Sequence, residues 1–94
     1  MRRYFEESPP NITSLKKLIA LHDRLILSGY PPNFISIAGT PNDHKYDNLR
    51  LATEYEGWSI RYWERGRSQS LKFKTNDIDA AIAEYERLLG FKNV

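Results

Sequence analysis

Apolar and polar positions change their period along this chain, and each change marks an element. From Asn11 to Ser28, the positions Leu15, Leu18, Ile19, His22, Leu25 and Ile26 recur at helical spacing, which predicts a helix with one buried stripe. Thr13 or Asn11 can cap its start. Gly29, followed by Tyr30-Pro31-Pro32, stops it, because glycine adopts the left-handed C-terminal conformation and proline cannot continue a helix. Phe34 to Ala38 is β-branched and closed by Gly39, which predicts a strand, and Thr40 to Asp47 reads as a polar loop. Leu49, Leu51 and Thr53 then alternate with Arg50, Ala52 and Glu54, the period of a strand with one face in the core. After a turn at Glu56-Gly57, Trp58, Ile60 and Tyr62 alternate with Ser59, Arg61 and Trp63. Beyond Arg65-Gly66-Arg67-Ser68 the alternation resumes as Leu71 and Phe73 against Lys72 and Lys74, so these two runs predict a hairpin. A second helix opens at Asn76 or Asp77, buries Ile78, Ala81, Ile82, Tyr85, Leu88 and Leu89, and ends at Gly90, with Phe91 folding back onto its last turn.

Helix, strands, helix in that order predict an α+β fold. The expected architecture has two layers: an antiparallel meander sheet of three to four strands, packed by an N-terminal and a C-terminal helix. A chain of 94 residues has room for one core, so residues 1–94 are expected to form a single domain with its core at about 12–91. Cysteine is absent, which excludes disulfides and thiolate metal sites and fits a reducing compartment. The acidic pair Glu6-Glu7 interrupts the N-terminus before an apolar leader can develop, and no run approaches the roughly 20 apolar residues of a membrane span. A cytoplasmic protein with no membrane partner is therefore expected. Fourteen Lys and Arg against twelve acidic residues leave a net charge of +2, too small to point to a nucleic-acid partner.

The distribution of charge narrows the chemistry further. If Leu49, Leu51, Trp58, Ile60, Tyr62, Leu71 and Phe73 face the helices, the other sheet face presents Arg50, Arg61, Trp63, Lys72 and Lys74, with Glu54 as its visible acid. Such a face is either a solvated surface on which long cationic stems cover Trp63, or a platform for single-stranded RNA that stacks bases and holds phosphates. At the hairpin turn, Glu64 either pairs with Arg65 or Arg67 to fix the turn, with Gly66 at positive φ, or projects with them to dock a partner. On the last helix Asp77, Asp79, Glu84 and Glu86 outweigh Arg87, giving either a solvated helix or an acidic surface that can plug a basic cleft. His22 lies on an apolar stripe and reads as a satisfied core residue; Asp43, His44 and Asp47 lack the spacing of a zinc or calcium site. No nucleophile elbow, phosphate loop or metalloprotease pair occurs, so neither a catalytic residue nor a cofactor is expected; a small nuclease would have to use His22 or His44.

The stretch Gly57 to Gly66, GWSIRYWERG, followed by Leu71 and Phe73 and by a helix carrying Ala80-Ala81, resembles a group of small immunity proteins from bacterial polymorphic-toxin and contact-dependent growth inhibition systems. The matching parts are the helix Leu15 to Gly29, the strand Phe34 to Gly39, Gly57-Trp58 with Tyr62, the turn Glu64-Arg65-Gly66, Phe73 and Ala80-Ala81. The resemblance implies a non-enzymatic protein that stays in the producing cell and binds a cognate toxin, the C-terminal domain of a larger secreted protein. The residues expected at that contact are Trp63, Glu64, Arg65 and Arg67 on the hairpin, and Asp77, Asp79, Glu84 and Glu86 on the last helix. The alternative is a small RNA-binding or regulatory domain that uses Arg50, Arg61, Trp63, Lys72 and Lys74.

Overall fold

A computed structural model describes residues 6–7, 12–43, 48–54 and 57–90. Its elements are β1 (Glu6–Glu7), α1 (Ile12–Leu27), a 3-10 turn (Pro32–Phe34), β2 (Ser36–Ile37), β3 (Asn48–Glu54), β4 (Gly57–Glu64), β5 (Arg67–Thr75) and α2 (Ile78–Leu89).

Both helices stop where the backbone must turn left-handed; α1 buries Leu18, Leu21, His22 and Leu25, so Ile19, expected in the buried stripe, is exposed and Leu21 takes its place in the core. At the end of α1, Gly29 sits at φ +86, and its N–H reaches Ile26 O at 3.0 Å while Tyr30 N reaches Leu25 O at 3.0 Å. This double bond pattern satisfies carbonyls that the last turn would otherwise leave open. Asp77 caps α2, its carboxylate accepting from Asp79 N at 3.0 Å. The expected Asn11 cap and the fold-back of Phe91 lie outside the described residues.

The strands β3, β4 and β5 form the expected antiparallel meander, but the sheet as a whole is mixed. β2 pairs parallel to β3, with Ser36 opposite Arg50 and Ile37 opposite Leu51, so the expectation of a purely antiparallel sheet is corrected. Hydrophobic period reports which face of a strand is buried and carries no information on its direction. The strand is also shorter than expected, because Pro31 and Pro32 turn Phe34 into the 3-10 segment. β1 adds two antiparallel pairs beside Thr53 and Glu54, an element too short to leave a period in the sequence.

Leu18, Leu21 and Leu25 of α1, Ala81 and Tyr85 of α2, Ile35, Ile37 and the Leu51, Trp58 and Ile60 face of the sheet share one core. The two helices run in the same direction: Lys17 meets Asp79 and Arg24 meets Glu86, each at 3.0 Å, with the same seven-residue step along both. Tyr85 joins α2 to the β2–β3 crossing. Its buried hydroxyl accepts from Ser36 N at 3.0 Å and donates to Leu49 O at 3.0 Å. Burial raises the phenol pKa far above its usual range, so Tyr85 stays protonated as this donor role requires.

Two one-residue register shifts interrupt the β4–β5 hairpin. Glu64 faces Arg67 and Trp63 faces Ser68, as the turn dictates, but Tyr62 then faces Ser70 and Ile60 faces Phe73. An unshifted ladder would place Leu71 against Ile60 in the core; the bulges give that place to Phe73 and set Leu71 opposite Arg61. Leu71 is consequently 46% exposed, which corrects its expected place in the core.

Candidate partner-binding surface

The central strands bury charge as well as hydrocarbon. Arg50, expected on an open face, is 2% exposed and reaches Asp43 at 2.7 Å and Ser36 Oγ at 3.0 Å. Glu54, expected as a visible acid, is 1% exposed and is gripped by Arg61 through Nε at 2.6 Å and Nη2 at 2.5 Å, with Ser59 Oγ donating at 2.8 Å. Burial alone would raise its pKa. The hydrogen bonds from Arg61 and Ser59 and the charges of Arg61 and Lys74 outweigh burial and hold the carboxyl below its usual range. Lys74 Nζ also donates to the Glu54 carbonyl at 3.1 Å. Arg50 and Arg61 stand directly opposite each other on β3 and β4, and each is drawn to its own carboxylate, which relieves a like-charge pair. Trp63 is 4% exposed. The five residues expected to form an open basic face are therefore not one surface: Arg50 and Trp63 are buried, Arg61 and Lys74 serve Glu54, and Lys72 stands clear.

The acidic residues of α2 are also occupied. Asp77 is the helix cap, Asp79 binds Lys17, Glu86 binds Arg24, and Glu84 binds Arg87, whose Nε lies 2.8 Å from Glu84 Oε1. That pairing lowers the Glu84 pKa and raises that of Arg87. The sequence places these acids on one helix; the tertiary structure aligns the basic partners of Asp79 and Glu86 on α1.

The hairpin end differs. Glu64, Arg65, Gly66 and Arg67 are all exposed. Arg65 at φ +53 and Gly66 at φ +78 give both central residues the positive φ of a type I′ turn, which matches the twist of the flanking strands. Asn is favoured over Arg at the first of these positions, so the chain holds a cation at the tip at some conformational cost. Arg67 and Lys72 make no ion pair among the described residues. Leu71 between them was missed as a surface residue, because its alternation with Phe73 reads as core and no local signal in Ser68-Gln69-Ser70 announces the bulges.

His22 is buried on α1 with Asn42 Nδ2 at 2.9 Å from Nε2 and Asp23 Oδ1 at 3.0 Å from Nδ1, so the amide donates to one ring nitrogen and the other donates to the carboxylate. The Nε2 contact holds the loop after β2 against α1, and the Nδ1 contact, to a neighbour on α1, fixes the ring. Asp43 of that loop belongs to Arg50, while His44 and Asp47 lie outside the described residues. Among the described residues no cluster of His, Asp and Glu is arranged to hold a metal ion, and no helix is long and apolar enough to cross a membrane.

No protein-family model matches the chain, and comparison with curated proteins and with solved structures finds no match either.

Proposed function

We propose that this chain is a bacterial immunity protein that binds a cognate toxin domain in the cytoplasm and neutralises it without catalysis. The observation that carries this reading is the separation of satisfied from unsatisfied charge. The acids of α2 and the cations of the central sheet are bound within the molecule, whereas the hairpin holds Arg67 and Lys72 in solvent beside a half-exposed leucine. Charges held in solvent on a defined hairpin steer and orient a macromolecular partner. The likeness of the GWSIRYWERG hairpin to small immunity proteins supports the same reading. It moves the expected contact away from Asp79, Glu84 and Glu86 and toward Glu64, Arg65 and Arg67. RNA binding through the sheet is less well supported, since Trp63 offers no exposed ring for a base to stack on.

Co-expression with the toxin domain encoded beside this chain tests the proposal. Rescue of growth together with a stoichiometric complex surviving gel filtration at physiological salt is the expected result. Toxicity that persists at full expression of this chain, with no complex recovered, would overturn it.

A further inference from the structure

Resting on that immunity reading, we infer that the toxin surface it covers is acidic, and that the outer edge of the β4–β5 hairpin reads it with the cations Arg65, Arg67 and Lys72 and with Leu71 as the apolar anchor. From Glu64 to Lys74 the chain carries four cations and one acid, a net +3 against +2 for the whole protein, so the rest of the molecule is slightly acidic. Positive charge is thus concentrated on one ribbon, where it faces a complementary anionic partner and raises the encounter rate.

Leu71 distinguishes a docking surface from a merely solvated one. The shift between Tyr62 and Trp63 sets Leu71 opposite Arg61, and the shift between Ile60 and Arg61 gives the core place against Ile60 to Phe73. A regular ladder would have hidden Leu71 and left the edge purely polar. The irregular ladder displays an apolar side chain at 46% exposure with Lys72 as its bulged neighbour. An exposed apolar residue on an edge strand that also carries cations has the composition of a contact centre with a polar rim.

The same features decide between occupants. Bulges and lysines on an edge strand oppose continuous strand addition, so recognition falls to side chains rather than to the main chain. A second copy of this chain would bring the same cations to the contact and be repelled. RNA would satisfy the charge but find neither an exposed aromatic ring on this hairpin nor a use for Leu71. A carboxylate-rich protein surface with a shallow apolar recess uses both the cations and the leucine.

The test takes the toxin domain of the preceding experiment as its probe. Association and dissociation with the full-length chain are followed at low and at moderate salt, for the wild type, for the double variant Arg67→Ala/Lys72→Ala and for Leu71→Ala. The inference expects wild-type association to slow about tenfold or more as salt rises, and the double variant to associate about tenfold more slowly at low salt with its salt dependence largely lost. Leu71→Ala is expected to dissociate about tenfold faster. Melting temperatures should stay within a few degrees of the wild type, since all three side chains are exposed. A wild-type complex whose rates are unchanged in every variant overturns the surface assignment and leaves the immunity reading standing. Absence of any wild-type complex overturns both. Tight binding of a mixed-sequence single-stranded 20-mer RNA, abolished by the same double variant, or self-association of the free chain in sedimentation, overturns the acidic-protein assignment.

Discussion

Glu54 and Glu64 end consecutive strands, and each stands near an arginine, yet the molecule treats them differently. Glu54 is almost fully buried, held in two contacts by Arg61 and supported by Ser59 and Lys74. Glu64 is exposed at the tip of the hairpin, opposite Arg67 in the ladder. In the central sheet a charge removed from water requires a partner, so the Asp43–Arg50 and Glu54–Arg61 pairs hold the fold. At the hairpin, Glu64, Arg65 and Arg67 are exposed, and water solvates their charges. The difference teaches where a substitution acts: inward on stability in one region, outward on binding in the other.

Arg61→Met is the largest test of that contrast. It strands a buried carboxylate and is expected to cost about 3–5 kcal/mol at neutral pH, read by urea unfolding. Its pH dependence carries the sign. In the wild type the Glu54 pKa is depressed on folding, so its contribution is present above the unfolded carboxylate value of about 4.3 and is lost as pH falls through the lower folded value. In the variant burial dominates and raises the folded value, so the deficit is expected to shrink as the solution is acidified toward about pH 4. A deficit that stays constant from pH 7 to 4 would show that Glu54 was never the issue.

Tyr85→Phe comes next, with an expected loss of about 1–3 kcal/mol, because Ser36 N–H and the Leu49 carbonyl lose their shared partner where water cannot replace it. Thermal unfolding followed by circular dichroism measures it, and an unchanged melting temperature would remove the hydroxyl from the account. The smallest effect is expected at the tip and has the opposite sign. Arg65→Asn relieves a left-handed arginine and should stabilise the protein by about 0.5–1 kcal/mol, while its toxin affinity falls. A variant that loses both stability and affinity would show that Arg65 holds the turn rather than the partner.

Much of this molecule is written locally. The apolar stripes placed α1 and α2, Asp77 and Gly90 marked the ends of α2, Gly29 marked the end of α1, and two-residue alternation placed β3, β4 and the hairpin turn, since each depends on neighbours a few residues away. The exposed cluster Glu64, Arg65 and Arg67 was legible for the same reason: a turn between two strands projects whatever it carries. Other features needed the whole fold. The direction of β2, the bulges that exchange Leu71 for Phe73, the burial of Arg50 and Trp63, and the capture of Asp79 and Glu86 by α1 leave no periodic trace in the chain. Hydrophobic pattern determines which side of an element seeks the core, whereas pairing direction, register and the partner of each charge are chosen by segments distant in sequence that become neighbours only when the sheet and its helices close on one another.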